Sequence, residues 1–176
     1  MRTTTDLLSQ YAEYHRDRRN IATHLVGVPM IVFAVGVLLA RPAFMVGGLA
    51  LSPAWLLFAA TAAWYLTRGD LVVGAAVSGV VGVLVALAQG VADASTASWL
   101  AWGLGSFVVG WVIQFVGHHF EGRKPAFVDD LAGLLVGPMF VTAEVLFALG
   151  LCQPLHAEIV RRAGPTLIRE RRHTAA

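Results

Sequence analysis

Charge is the first thing this sequence lacks. Only 14% of its 176 residues are Asp, Glu, Lys or Arg, against about 25% in a typical soluble domain. A soluble globular fold is excluded on that ground. Cysteine is nearly absent as well: Cys152 stands alone, so no intrachain disulfide can form. The net charge is only +2 and no basic-aromatic motif accompanies it. Nucleic acid is therefore not an expected partner, and the positive balance suits a lipid surface. The first twenty residues are polar and charged, so no cleavable leader is expected. No internal repeat is visible.

Apolar residues are what is present. They make up 57% of the chain, give a mean hydropathy of +0.67 and are gathered into long runs almost free of charge. A hydrocarbon core is crossed by about 20 such residues in a helix. The runs at 21–40, 44–66, 71–90 and 99–119 predict four transmembrane helices. A fifth segment, 131–151, either spans or re-enters at Gly137-Pro138. Residues 6–19, with Asp6 as cap and Leu7, Leu8, Tyr11, Tyr14 and His15 on one face, predict an interfacial helix. Arg16 to Arg19 fall on its wet side. Residues 153–176 read as a basic amphipathic tail containing His156 and His173. The fold class is all-α: a single polytopic membrane domain, with residues 21–151 as the bundle. Its 18 glycines suit close helix packing inside a bilayer.

Counting spans places the chemistry. The start of the first span and the end of the fourth lie at the same membrane face, which puts His15, His24, His118, His119 and Glu121 in one layer. That face also carries most loop Lys and Arg, so it is read as cytoplasmic, in the inner membrane of a bacterium or the endoplasmic reticulum of a eukaryote. Glu144, on a straight crossing helix, would sit well below the layer. Gln114, His118 and Glu121 are spaced i, i+4, i+7 and share one helix face. His119 is rotated about 100° from His118. His15 and His24 would point apart on a continuous helix, but Asn20 reads as an N-cap and a break there lets both reach one point. Several histidines and a carboxylate at one depth suit a divalent transition metal, non-heme Fe(II) among them. Arg123 and Lys124 read as orientation charges that could also serve an acyl carboxylate.

Two stretches, YHRDRRNIATHLVGVP and QFVGHHFEGRKPAF, resemble the small membrane-protein family of the fungal 2-hydroxy-fatty-acid dioxygenase. The resemblance runs from about Tyr11 to Glu144. It rests on Tyr14-His15, Asn20, His24 and Gly27-Val28-Pro29, then on Gln114-Phe115, Gly117-His118, Glu121 and Pro125-Ala126. It implies Fe(II) held by His15, His24 and either His118 or His119, of which His118 is favoured because it shares a face with Gln114 and Glu121. Glu121, Gln114 and Asn20 are then the polar groups of the catalytic site. The substrates implied are a 2-hydroxy fatty acid and dioxygen, and the product is an acid one carbon shorter. Two rival readings come from other classes. One is an electron carrier with a b-type heme between His24 and His118; the other is a transport or structural protein without a metal.

Overall fold

Thr3 opens the first helix with a reciprocal cap. Its hydroxyl accepts from the Asp6 amide while the Asp6 carboxylate accepts from the Thr3 amide, satisfying two otherwise free donors. Helix α1 (Thr4–Ala12) follows, so Asp6 is the third residue of the first turn and not its cap. The helix is shorter than expected. Leu7, Leu8, Tyr11 and Ala12 are buried against the rest of the chain. The computed structural model describes residues 2–41, 43–128, 130 and 132–169. Pro42, Asp129 and the tail expectations at Arg171, Arg172 and His173 lie outside the described residues.

The chain turns at 13–17 and starts α2 (Arg18–Ala40) with Asp17 as N-cap. The break lies earlier than sequence suggested: Asn20 is inside the helix, because the Asp17 carboxylate accepts from the Arg19 amide and takes the capping role. Arg16 and Asp17 are buried, not on a wet face.

The second expected span is divided. Residues Phe44–Val46 (β1) and Leu49–Leu51 (β2) form an antiparallel hairpin. Gly47 and Gly48 turn it, with φ of 56° and 84°, which only glycine adopts readily. Helix α3 (Pro53–Leu66) then has 14 residues and is about 21 Å long, short of a hydrocarbon core of about 30 Å. The hairpin took the residues that would have completed it. By contrast α2, α4 (Leu71–Ala92) and α5 (Thr96–Glu121) are each long and apolar enough to cross a membrane. Their outer faces carry exposed Val72, Val83, Leu87, Val108 and Val112, as expected of surfaces that face lipid.

Helices α2 and α5 run antiparallel along a seam of small residues. A side chain on Gly27 would meet the Gly110 carbonyl at 2.9 Å, and one on Gly117 would overlap Thr23 and Asn20. At the far end of the seam Trp99 Nε1 donates to the Val37 carbonyl at 2.8 Å. This backbone approach needs glycine, and it brings the start of α2 to the end of α5.

Segment five does not break at Gly137-Pro138. Helix α6 (Gly133–Ala148) continues through both. The chain bends by 117° after it, into α7 (Gln153–Ala163), through Gly150 and Cys152 at positive φ. The tail then returns to the end of the bundle where α5 finishes. Arg16 donates to the Gly164 carbonyl, and Arg169 pairs with Glu121 at 2.8 Å. Both ends of the 122–164 segment therefore sit at one end of the bundle, and of the basic tail Arg162 and Arg169 stay there, on Asp6 and Glu121. Phe140, one turn before Glu144 on α6, lies beside His15, so Glu144 is about 6 Å along the helix from that level and not well below the histidine layer.

Candidate metal centre

Three imidazoles meet where the α1–α2 turn touches the end of α5. His15, His24 and His118 each offer a ring nitrogen, and the three atoms lie within 4.8 Å of one another. Ring centroids are 4.4 Å apart for His15–His24 and 5.0 Å for both other pairs. His15 and His24 are 0% and 1% exposed, so bulk water does not solvate them. The Tyr11 ring stacks on His15 at 4.1 Å, with Phe140 beside it.

Hydrogen bonding sets the tautomers. His15 Nδ1 is 2.7 Å from the Tyr11 carbonyl, and His24 Nδ1 is 2.8 Å from the Asn20 carbonyl. A carbonyl cannot donate, so each Nδ1 carries the proton and each Nε2 presents a bare lone pair. Those two Nε2 atoms face each other at 3.0 Å, an arrangement that repels unless a positive centre lies between them. His118 Nδ1 is buried without a partner. His15 and His24 each anchor Nδ1 on a backbone carbonyl and turn Nε2 toward the other ring, the usual outer arrangement of metal-ligating histidine. Two nitrogens each about 2.1 Å from one ion and about 90° apart are about 3 Å from each other. Burial holds His15 well below its ordinary pKa of 6.5, the neighbouring His24 adding to the effect. A neutral ring is the form a metal needs.

Glu121 is close but otherwise engaged. Its Oε2 accepts from the Asp17 amide at 2.8 Å and from Asn20 Nδ2 at 3.1 Å; its Oε1 pairs with Arg169. Asn20 Nδ2 also reaches the Tyr14 carbonyl. Glu121 and Asn20 therefore tie the 14–20 turn to the end of α5, fixing His15 and His24 relative to His118. Gln114 is buried, and its Oε1 has no partner. It borders, with His24, His118 and Tyr11, a cavity of about 70 Å³ beside the imidazoles. His119 is exposed and contacts Phe120, away from the triad. His156 stacks on Phe147 in the α6–α7 bend. Arg123 donates to the Glu13 carbonyl, and neither it nor Lys124 borders the cavity.

Sequence reasoning missed Asp17 and Arg169. The Asp17 carboxylate is fully buried, caps α2, pairs with Arg19 and accepts from the Arg169 amide. An Asp just before an apolar run is a cap signal, and it was available here. Nothing local marks Arg169, which acts across 48 residues of sequence.

A family model described as 2-hydroxy-palmitic acid dioxygenase Mpo1-like matches residues 1–149. A protein of Saccharomyces cerevisiae, 2-hydroxy-palmitic acid dioxygenase MPO1, is 34% identical over 160 residues, which cover 88% of this chain and 87% of the yeast one. No solved structure matches.

Proposed function

This chain belongs to the 2-hydroxy-palmitic acid dioxygenase Mpo1-like family, and from that premise we propose that it is an Fe(II)-dependent dioxygenase of 2-hydroxy fatty acids. The overall change is RCH(OH)COOH + O2 → RCOOH + CO2 + H2O. It balances with the four electrons that dioxygen takes, so no further reductant is needed. The observation that carries the reading is the pair of bare Nε2 atoms at 3.0 Å, with the buried, unpartnered Nδ1 of His118 beside them. Three buried imidazoles whose ring nitrogens lie within 4.8 Å of one another are a donor set for a first-row divalent ion.

His15, His24 and His118 would hold the ion. Fe(II) there supplies the positive charge that a carboxylate needs and the redox chemistry that lets dioxygen react with an organic acid. The chain's own residues do the rest. Tyr11 and Phe140 cover the His15 ring and shield it from water. Gln114, free at Oε1, can accept a hydrogen bond from the substrate hydroxyl while its NH2 group donates to the carboxylate. Asn20 and Glu121 act as positioning residues, since their bonds go to the turn that carries His15. A heme between His24 and His118 is disfavoured: His15 occupies the space beside His24, and the adjoining cavity of about 70 Å³ cannot take a macrocycle. The site face is read as cytoplasmic from its Lys and Arg content; reporter fusions at the N-terminus check that reading.

The test is elemental analysis of purified protein together with oxygen uptake and CO2 release on 2-hydroxypalmitate. Iron near one per chain, one CO2 per O2 and loss of both iron and turnover in His15→Ala, His24→Ala and His118→Ala are expected. If the three variants keep iron and full turnover, the assigned site is wrong. If the wild type carries only zinc and ignores oxygen, the dioxygenase reading fails.

A further inference from the structure

A second cavity, about 280 Å³, lies deeper in the bundle than the one beside the imidazoles. The two share Ile31, Val32, Trp111, Leu134 and Pro138 as walls, so they adjoin end to end. On α2 the combined lining is His24, Val28, Ile31, Val32, Val35, Gly36 and Leu39. Successive steps of three, four and one residues make this a single helical stripe. From His24 to Leu39 the stripe climbs about 22 Å at 1.5 Å per residue. That exceeds the depth of one lipid leaflet, about 15 Å.

The polarity changes along its length. Near the triad the walls include Tyr11, His24, Gln114 and His118. Deeper down the polar groups lining the cavity among the described residues are the hydroxyls of Thr61 and Tyr65 and the indole N–H of Trp111, and both hydroxyls are already engaged. Thr61 donates to the Phe58 carbonyl at 3.0 Å, and Tyr65 donates to the Leu135 carbonyl at 2.9 Å. No charged side chain borders either cavity among the described residues. A ligand filling both must therefore be polar at one end only, long and apolar beyond it.

We propose that this deeper cavity is the acyl channel of the site, and that the α2 stripe through Val35 to Leu39 sets the length of chain accepted. The proposal rests on the dioxygenase reading for the identity of the polar head and on the cavity itself for the tail. Long-chain 2-hydroxy acids fill the channel; short ones leave its far half empty and forfeit that burial. Each further methylene buried there adds to binding, so preference rises steeply with length until the end at Leu39 is reached.

Two measurements test this. In the first, wild type and Val35→Trp are compared on 2-hydroxy acids of increasing length. The indole fills the middle of the channel without touching the triad. KM for the 2-hydroxy acid of palmitate length is expected to rise at least tenfold in Val35→Trp, while turnover of an eight-carbon 2-hydroxy acid stays within about twofold. A length profile unchanged by the substitution overturns the channel, with the dioxygenase reading left intact. The second needs no turnover. Palmitic acid bearing a photoreactive group at its far end is expected to label the α2 peptide around Leu39, and excess palmitic acid is expected to suppress the label. Competed labelling in a protein that oxidises no 2-hydroxy acid supports the channel and sinks the proposed reaction. Labelling spread over the outer helix faces and insensitive to palmitic acid overturns the channel.

Discussion

His15 Nε2 and His24 Nε2 face each other at 3.0 Å while each ring's Nδ1 is bonded to a backbone carbonyl. Nine residues of sequence separate them, and the turn at 13–17 folds one ring onto the other. With both inward nitrogens unprotonated, the pair gains stability from a cation and loses it when the cation is removed. Chelation of the purified protein is therefore expected to lower its melting temperature, and Fe(II) to restore it. A ligand at one hundred times its Kd adds about 2.7 kcal/mol. His24→Ala should show no metal-dependent shift. A wild-type melting curve indifferent to chelator and to Fe(II) would count against the metal centre.

Glu121 provides a test of positioning without touching a ligand. Its carboxylate holds the Asp17 amide, Asn20 and Arg169, and it is 2% exposed. Glu121→Ala leaves buried donors without acceptors and is expected to destabilise the fold by about 3 kcal/mol. Metal affinity should fall 10- to 100-fold, the usual cost of losing an outer-shell partner, with all three imidazoles still in the sequence. Metal titration at a temperature where the variant remains folded separates the two effects. An unaltered metal Kd in folded Glu121→Ala would show that the turn holds His15 without it.

Gly117 tests the seam. A methyl group there would overlap Thr23 Oγ1 and Asn20 Oδ1, forcing α5 away from α2 at the level of the triad. Gly117→Ala is expected to cost about 1–3 kcal/mol, the range for overpacking, and to weaken metal binding because His118 moves with α5. Adding Thr23→Ala removes one of the two overlaps and should recover part of the loss. A variant as stable as the wild type would mean that the helices can separate there at no cost.

The α1–α7 junction gives a pH prediction away from the metal centre. Hydrogen bonds from the Thr3 backbone and hydroxyl, then from Arg162, hold the Asp6 carboxyl down to about 2 from an ordinary 3.8. A depressed carboxyl contributes its stability fully above its unfolded value and loses it as pH falls through the folded one. The difference in melting temperature between wild type and Asp6→Ala should stay constant above about pH 4 and close as pH falls towards about 2. A difference that vanishes already at pH 5 would mean that Asp6 is not held by these bonds.

Hydropathy alone pointed to a helical chain with several helices long and apolar enough to cross a membrane. The runs that became α2, α4 and α5 could be read to within a few residues, because lipid forces every backbone group into local hydrogen bonds. Span counting put His15, His24 and His118 in one layer and the three do meet, although the second of the four spans counted is the short α3. The short α3 was not legible: a run of apolar residues signals burial in lipid but not where a Gly-Gly turn will divert part of it into a hairpin. Nor was the path of 122–164, since its return depends on contacts between Arg16, Glu121 and residues 164–169 that lie far apart in sequence. The tertiary structure alone decided that Glu121 braces the turn and leaves the three imidazole nitrogens to face one another. Which atoms a carboxylate satisfies depends on donors delivered by other segments, and those exist only once α1, α2, α5 and the tail have packed.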